Sequence, residues 1–127
     1  MDEFDIIDIV HDAVEAANTG LVLYKKRSAK AEKNNHTTVR ELGVNKLEYV
    51  NKAPAINVNI FIKQHPNGAP DIKKMKEVKR AVEEALNNIV PPHGRYWKSR
   101  IVWSEPFDEA KEGFDCINIR LEVITEL

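Results

Sequence analysis

The 127 residues of this chain fit a single domain, which is long enough to bury a hydrophobic core and too short for two domains. Its 19 lysines and arginines nearly balance 20 aspartates and glutamates, and the net charge of -1 excludes a protein that recruits nucleic acid or an anionic membrane through its overall charge. Any such binding has to be local. The single cysteine, Cys116, excludes an internal disulfide and a cysteine-based zinc cluster.

The first five residues are acidic where a signal peptide would be basic, and no apolar run approaches the ~20 residues that cross a bilayer. We therefore expect a protein that is soluble, is cytoplasmic when synthesised and has no membrane partner.

The first third of the chain predicts one helix and two strands. Apolar residues recur at helical spacing over residues 2–17, and Gly20 then permits the left-handed turn that ends many helices. Residues 21–25 favour a short strand, and residues 36–42 favour a second one through Thr37, Thr38 and Val39. The mixed segment that follows, residues 45–52, has three apolar residues that could anchor it: Leu47, Tyr49 and Val50.

The strongest strand signal lies at residues 55–63, and we predict that this is the central strand of a sheet. Its alternate residues form an entirely apolar side: Ile56, Val58, Ile60 and Ile62. The opposite side carries Asn57, Asn59 and Phe61. These three side chains face either solvent or the lining of an oligomeric ring or groove, because helices on one side of a sheet leave the other side available.

The second half predicts a helix and a hairpin. Asp71 is a suitable N-cap for a helix at residues 72–89, whose apolar stripe begins at Ile72. The next predicted strand carries three large side chains on one face: Trp97, Ile101 and Trp103. The tryptophans are either core residues under a helix or an exposed patch for a partner subunit, and a core position is favoured for one of them. The charged segment 106–113 is predicted to turn the chain into a last strand at residues 114–125, where Ile117, Ile119, Leu121 and Val123 alternate with polar residues.

The elements therefore follow the order α-β-β-β-α-β-β and specify an α+β domain. An antiparallel or mixed sheet of four to five strands, with both helices packed on one face, would bury every apolar stripe.

Residues that could carry chemistry are few. The four histidines lack metal-ligand spacing and no carboxylate stands at a fixed offset from them, so we expect no metal site. Cys116 lies beside apolar strand positions, where a buried thiol is the ordinary state. We expect neither a catalytic residue nor a cofactor, and an enzyme is not supported.

A basic loop at about residues 25–35 is the one local concentration of charge, and we expect it to be mobile. Its cations are Lys25, Lys26, Arg27, Lys30 and Lys33, set against the single acid Glu32. One interpretation is a contact with the phosphate backbone or with an acidic neighbouring surface, and the other is a solvated loop that keeps the domain soluble. Only Tyr24 is nearby as an aromatic residue, so base stacking is not indicated.

Three segments carry a resemblance to a known family: PAINVNIFI at 54–62, PNGAPD at 66–71 before an amphipathic helix, and CINIRLEV at 116–123. Together with the order of elements, they resemble the small tail-terminator, or tail-completion, proteins of tailed bacteriophages and prophages. The resemblance covers most of the chain, apart from residues 34–52.

The resemblance implies a structural protein without a catalytic motif, whose subunits form a homo-oligomeric ring, often a hexamer, that caps the tail tube and helps to join tail to head. Its partners would be its own copies, the tail tube, head-tail connector proteins and DNA in the lumen. It would be found in the virion and in the host cytoplasm during assembly. The basic loop would then face the lumen or the next subunit, and Asn57, Asn59 and Phe61 would meet neighbours. Alternatives are a head-tail connector component, a protein- or nucleic-acid-binding adaptor outside phage assembly, and a small enzyme.

Overall fold

The computed structural model describes the backbone of residues 1–127 and every side chain except those of residues 108–110. The two helices are α1 (Glu3–Ala16) and α2 (Ile72–Asn87). The strands are β1 (Val22–Lys25), β2 (His36–Glu41), β3 (Asn45–Lys46), β4 (Val50–Lys63), β5 (Trp97–Lys111) and β6 (Phe114–Glu126).

One six-stranded mixed sheet has the order β1-β2-β4-β6-β5, and the two-residue strand β3 pairs with the beginning of β4. Strand β1 is parallel to β2, and every other pair is antiparallel. The predicted α+β class is confirmed, with β3 added to the predicted strands, and β4 is the central strand of the sheet.

Both helices pack on one face of the sheet and enclose the core. Helix α1 contributes Ile6, Ile7, Val10 and Val14, and α2 contributes Val78, Val82 and Leu86. They pack on the apolar sides of β4 and β6: Ile56, Val58, Ile60, Ile62, Ile117, Ile119, Leu121 and Val123. The predicted stripe of α2 is wrong at its first residue, because Ile72 lies in the first turn with 60% of its surface exposed.

Two bulges decide which residues share a face. Between Ala53 and Ile56 the register against β6 shifts, so Pro54, which has no N–H to donate, is accommodated within a central strand. A second shift lies between Ile101 and Trp103 and rotates Trp103 to the other face. The prediction that Trp97 and Trp103 share a face is therefore wrong: Trp97 packs against the core, and Trp103 does not.

The turn of the last hairpin is also shorter than predicted. Strand β5 continues to Lys111, and only Glu112 and Gly113 connect it to β6. Gly113 has a φ of 81°, the left-handed conformation that glycine adopts without a steric cost. Asp108 and Glu109 belonged to the predicted turn, but their side chains lie outside the described residues.

Candidate functional site: the distal face of the sheet

The sheet face opposite both helices, which we call the distal face, collects the polar and aromatic side chains of four strands. Its members are His36 on β2, Asn57, Asn59 and Phe61 on β4, Trp103 on β5, and Phe114, Asn118 and Arg120 on β6. Register brings them together, because Asn59 is opposite Asn118, and Arg120 is opposite both Asn57 and Trp103. The three residues predicted from β4 are thus part of a larger surface.

A chain of hydrogen bonds crosses the middle of the distal face. Trp103 Nε1 donates to Asn118 Oδ1 at 2.7 Å, and Asn118 Nδ2 donates to Asn59 Oδ1 at 2.8 Å. Asn118 is almost fully buried, with 2% of its surface exposed, so its amide is available to these neighbours and hardly to water. The bond to Asn118 fixes the orientation of Trp103, whose ring remains 41% exposed.

Arg120 forms a second link on the same face. Its Nε donates to Asn57 Oδ1 at 3.1 Å, and its guanidinium carbon lies 4.2 Å from the centre of the Trp103 ring. Stacking of a guanidinium on an indole is a favourable cation–π arrangement. Trp103 is therefore held at its edge by Asn118 and on its face by Arg120, and it would lose little rotamer entropy on binding a partner.

An aromatic cluster occupies another part of the distal face. The Phe61 ring stacks on His36, with ring centres 4.6 Å apart and planes inclined by 11°. Phe114 meets His36 edge to face at 5.2 Å, and Lys111 Nζ lies 5.2 Å from the centre of the Phe114 ring. Phe61 is thus a half-buried member of a cluster and not an isolated surface residue.

His36 is fully buried, and its neighbours select one tautomer. Nδ1 lies 2.8 Å from the Asn34 carbonyl oxygen, which can only accept a hydrogen bond. Nε2 lies 3.3 Å from Lys111 Nζ, which as an ammonium can only donate. The neutral ring with its proton on Nδ1 satisfies both partners. Burial lowers the pKa of His36 and the positive charge of Lys111 lowers it further, while the Asn34 carbonyl and Glu32 act in the opposite direction.

The basic loop divides into paired and exposed cations. Lys25 Nζ lies 2.6 Å from Asp8, a bond that raises the pKa of Lys25. Lys26 Nζ lies 3.1 Å from Glu41 and 5.1 Å from the centre of the Phe4 ring. The remaining three cations are exposed: Arg27, Lys30 and Lys33. Of the predicted contact set, these three are the better candidates for an external anion.

The loop is attached at several points to the sheet. Tyr24 Oη donates to the Glu32 carboxylate, an interaction that raises the pKa of Tyr24 and lowers that of Glu32. Asn35 Oδ1 accepts from the Lys63 N–H at 2.7 Å. The expected mobility of the loop stays a prediction.

Cys116 is buried, with 2% of its surface exposed, and burial raises the pKa of its thiol to about 12. A thiol with such a pKa stays protonated at neutral pH and is a poor nucleophile. The side chain is a small hydrophobic residue under the distal face, as its strand position predicts.

One carboxylate does stand at a helical offset from a histidine, contrary to the sequence-based expectation. His11, Asp12 and Glu15 on α1 place their ligand atoms within 4.8 Å of one another. Both acids are exposed and His11 is half-buried, so the group is part of a charged helix surface and supports no metal proposal.

Sequence reasoning did not assign Asn118 or Arg120 to the site, and it left open whether Trp103 is a core or a partner-binding residue. The first two alternate with the apolar residues of the last strand, just as Asn57 and Asn59 alternate with those of the central strand. Antiparallel pairing of these two strands, once assumed, would have placed the polar sides together. The bulge that moves Trp103 has no glycine or proline beside it and gives no such signal.

The turn between β3 and β4 was also misjudged. The predicted anchors Leu47 and Tyr49 are 50% and 80% exposed, and only Val50 is half-buried. Leu47 and Tyr49 therefore belong to an exposed turn and not to the core.

Comparison with known proteins gives a structural likeness only. No protein-family model matches the sequence, and no curated protein matches it. Among solved structures, the fold is similar to that of a chain in the "Virion of native gene transfer agent (GTA) particle". The two share 13% identity with a TM-score of 0.65, over 93% of this chain and 92% of the other. Among the helices that the structure describes, none is long and apolar enough to cross a bilayer.

Proposed function

We propose that this chain is a structural protein of virion assembly, of the tail-terminator type, which caps a phage-like tail tube and helps to join tail to head. The observation that carries the proposal is the shared fold with a virion-particle chain along almost the entire length of both chains.

Within that function the chain forms a homo-oligomeric ring, a hexamer being the form that the family resemblance implies. The distal face supports such a role because its central amides, Asn59 and Asn118, already bond to each other. A neighbour that covers this face does not have to supply partners for that bond. Phe107 is opposite Cys116 and shares the distal face with Trp103. These two side chains are 42% and 41% exposed and supply the aromatic surface on which hot spots are usually centred.

The basic loop then faces the lumen of the ring, near the DNA, or the adjacent subunit. Its exposed cations Arg27, Lys30 and Lys33 would contact phosphate, while Lys25 and Lys26 remain bound to acids of their own chain. Contacts of this kind position a nucleic acid without reading its sequence.

The protein performs no chemistry of its own in this proposal. His36 is fully buried with both ring nitrogens engaged, by the Asn34 carbonyl and by Lys111, and the Cys116 thiol is kept protonated, so both side chains serve as packing residues. The protein would act in the virion and, before that, in the host cytoplasm where particles assemble.

A head-tail connector component is the second candidate, because likeness to a chain of a virion particle does not specify the position of that chain in the particle. The two functions differ in whether the protein binds first to the tail or to the head. A terminator binds free tail tubes, whereas a connector binds DNA-filled heads.

To test the proposal, the gene is deleted in a strain that carries it and produces particles, and the lysate is viewed by electron microscopy. We expect free heads and unjoined tails, and gold-labelled protein supplied in trans should mark one end of the tails. Label on heads alone would indicate the connector, and normal joined particles without the protein would refute both functions.

A further inference from the structure

A groove at the beginning of the basic loop brings together side chains from two neighbouring strands, and we call it the loop groove. It is lined by residues 24–29, which end β1 and begin the basic loop, and by Arg40 and Glu41 of β2. Its volume is about 650 Å³. Four of the lining side chains are cationic and one is acidic. Arg40, which lies outside the basic loop in sequence, is thus part of the same basic surface.

The pairing of β1 with β2 explains why Arg40 meets the loop. The two strands are parallel, with Lys25 opposite Val39, so the residue after Lys25 lies beside Arg40. The Lys26 N–H continues the pairing and donates to the Val39 carbonyl at 2.6 Å. Lys26 has a φ of 70°, which is uncommon for a residue other than glycine, and the Arg27 N–H closes a three-residue turn on the Lys25 carbonyl at 2.9 Å. This turn holds Arg27 beside the end of β2.

The charges of the loop groove divide into engaged and available groups. Lys25 is bonded to an acid of α1, and Lys26 is bonded to Glu41, the one acid of the lining. Arg27 and Arg40 are both exposed, and no ion pair among the side chains that the structure describes includes either of them. Because each lysine is balanced by its own acid, the two arginines leave an excess of positive charge.

The other acid of the basic loop does not cancel this excess. Glu32 lies outside the lining, where its carboxylate accepts from Tyr24 Oη and from the Asn34 N–H. Two further cations of the loop, Lys30 and Lys33, are exposed and more than balance Glu32. The surface around the loop groove is therefore positive.

We infer that the loop groove binds a phosphate group between Arg27 and Arg40. Each guanidinium presents its N–H groups in a planar fork that matches an oxyanion, and such charge-assisted bonds are stronger than neutral ones. The Ser28 hydroxyl in the lining can donate a further bond. A phosphate offers three strong acceptor oxygens to donors on several sides, whereas a carboxylate offers two oxygens. The volume of the groove lies in the range that encloses drug-sized ligands, so a neighbouring sugar can enter with the phosphate.

The inference rests on the proposed function for the source of the phosphate, which is the backbone of DNA in the lumen. The loop groove also stays open when copies meet at the distal face. Arg40 is opposite Asn57, which is opposite Arg120, which is opposite Trp103. Arg40 is thus three strands, or roughly 14 Å, from the tryptophan on which the proposed contact is centred.

Substitution of the two arginines tests the site by fluorescence anisotropy with a short labelled DNA duplex. Arg27→Gln and Arg40→Gln should each weaken binding about tenfold and lower the log–log slope against salt by ~1. Arg80→Gln is the matched control, because it removes the same charge from an exposed position of α2 outside the loop groove, and it should leave the slope unchanged. Equal losses in all three variants would show a diffuse effect of charge and overturn the inference.

Glu41→Gln tests the sign of the charge in the loop groove. The change removes the one acid of the lining and releases Lys26, so DNA binding should become about threefold tighter. A general disturbance of the fold would weaken binding instead. Unchanged or weaker binding, in a variant whose circular dichroism matches that of the wild type, would contradict the inference.

NMR locates the ligand and distinguishes its source. The side-chain N–H signals of Arg27 and Arg40 should shift when the duplex is added, and that of Arg80 should not. If inorganic phosphate shifts the same two signals, the phosphate group alone is sufficient, and if only the duplex does so, the source is the DNA backbone; both results support the inference. Signals that respond to neither ligand would overturn it, as would equal shifts with a glutamate-rich peptide, which would indicate an acidic protein partner.

The outcomes separate this inference from the proposed function. A protein that marks tails while its Arg27 and Arg40 signals stay unchanged would overturn phosphate binding and leave the terminator proposal standing. Binding of the duplex through these two arginines, in a protein without which particles still join normally, would support phosphate binding and refute the terminator.

Discussion

The tautomer of His36 makes the stability of the fold sensitive to pH in a defined direction. The ring accepts from Lys111 through Nε2, so the second proton would have to be added where an ammonium already points, 3.3 Å away. It would also be added in a site where His36 has no exposed surface and two of its neighbours are Phe61 and Phe114. We therefore expect the folded protein to bind this proton less readily than the unfolded chain.

The sign of the effect follows from the lowered pKa. In the unfolded chain His36 titrates near its ordinary value of 6.5, so below that pH the unfolded state binds more protons than the folded state. Stability is complete above pH 6.5 and falls as the pH decreases below it, until the folded pKa is reached. A group with an unfolded pKa of 6.5 can cost at most about 1.4 kcal/mol of stability between pH 7.5 and 5.5, and that limit sets the scale of the effect.

The assay is urea unfolding of the wild type and of His36→Gln at both pH values. Other groups titrate in both proteins, and the difference between the two pH dependences isolates His36. The variant should lose less stability than the wild type between the two pH values, by at most about 1.4 kcal/mol. An NMR titration of the His36 ring in the wild type provides an independent readout, and a folded pKa at or above 6.5 would refute the reasoning.

Three further predictions concern other groups. Asn118→Ala removes both hydrogen bonds of a buried amide and should lower the free energy of unfolding by about 2 kcal/mol. The melting temperature should then fall by roughly 5 to 10 °C, and a loss below about 0.5 kcal/mol would contradict the hydrogen-bond chain through Asn118. Cys116 should resist thiol reagents at pH 8 until the protein unfolds, and rapid labelling of the native protein would contradict its burial. The last variant changes exposed cations of the basic loop to glutamine: Arg27, Lys30 and Lys33. It should reduce the salt dependence of DNA binding in fluorescence anisotropy by up to ~3 in log–log slope, and an unchanged slope would exclude a phosphate contact.

The sequence predicted the elements that depend on strict periodicity. In β4 and β6 the apolar residues alternate, and in α1 and α2 they recur at helical spacing, because each element buries one side. The spacing of the buried residues shows whether the element is a strand or a helix and which side of it faces the core. Asp2 and Asp71 cap the two helices in the structure, and only the second was named as a cap from the sequence.

The errors arose where pairing between distant strands decides the outcome. Whether Trp103 lies with Ile101 or opposite to it depends on a single extra residue in the ladder, which local propensity does not encode. Leu47 and Tyr49 are apolar residues in a polar segment, and nothing in the segment indicates whether a core or a partner covers them. The candidate site was predicted only on β4, because its other half comes from residues about 60 positions away in the chain.

The distal face gives the proposed ring a contact that can be tested. Asn118 holds the edge of Trp103 and Arg120 covers its face, so Trp103 would lose little rotamer entropy when a neighbouring copy covers it. Apolar surface that the neighbour removes from water contributes about 25 cal/mol for each square ångström. On this reasoning, Trp103→Ser should lower self-association in light scattering, and the binding of tails that the proposed function requires should be lost with it. Rings that form unchanged in Trp103→Ser would remove the distal face from the contact between copies.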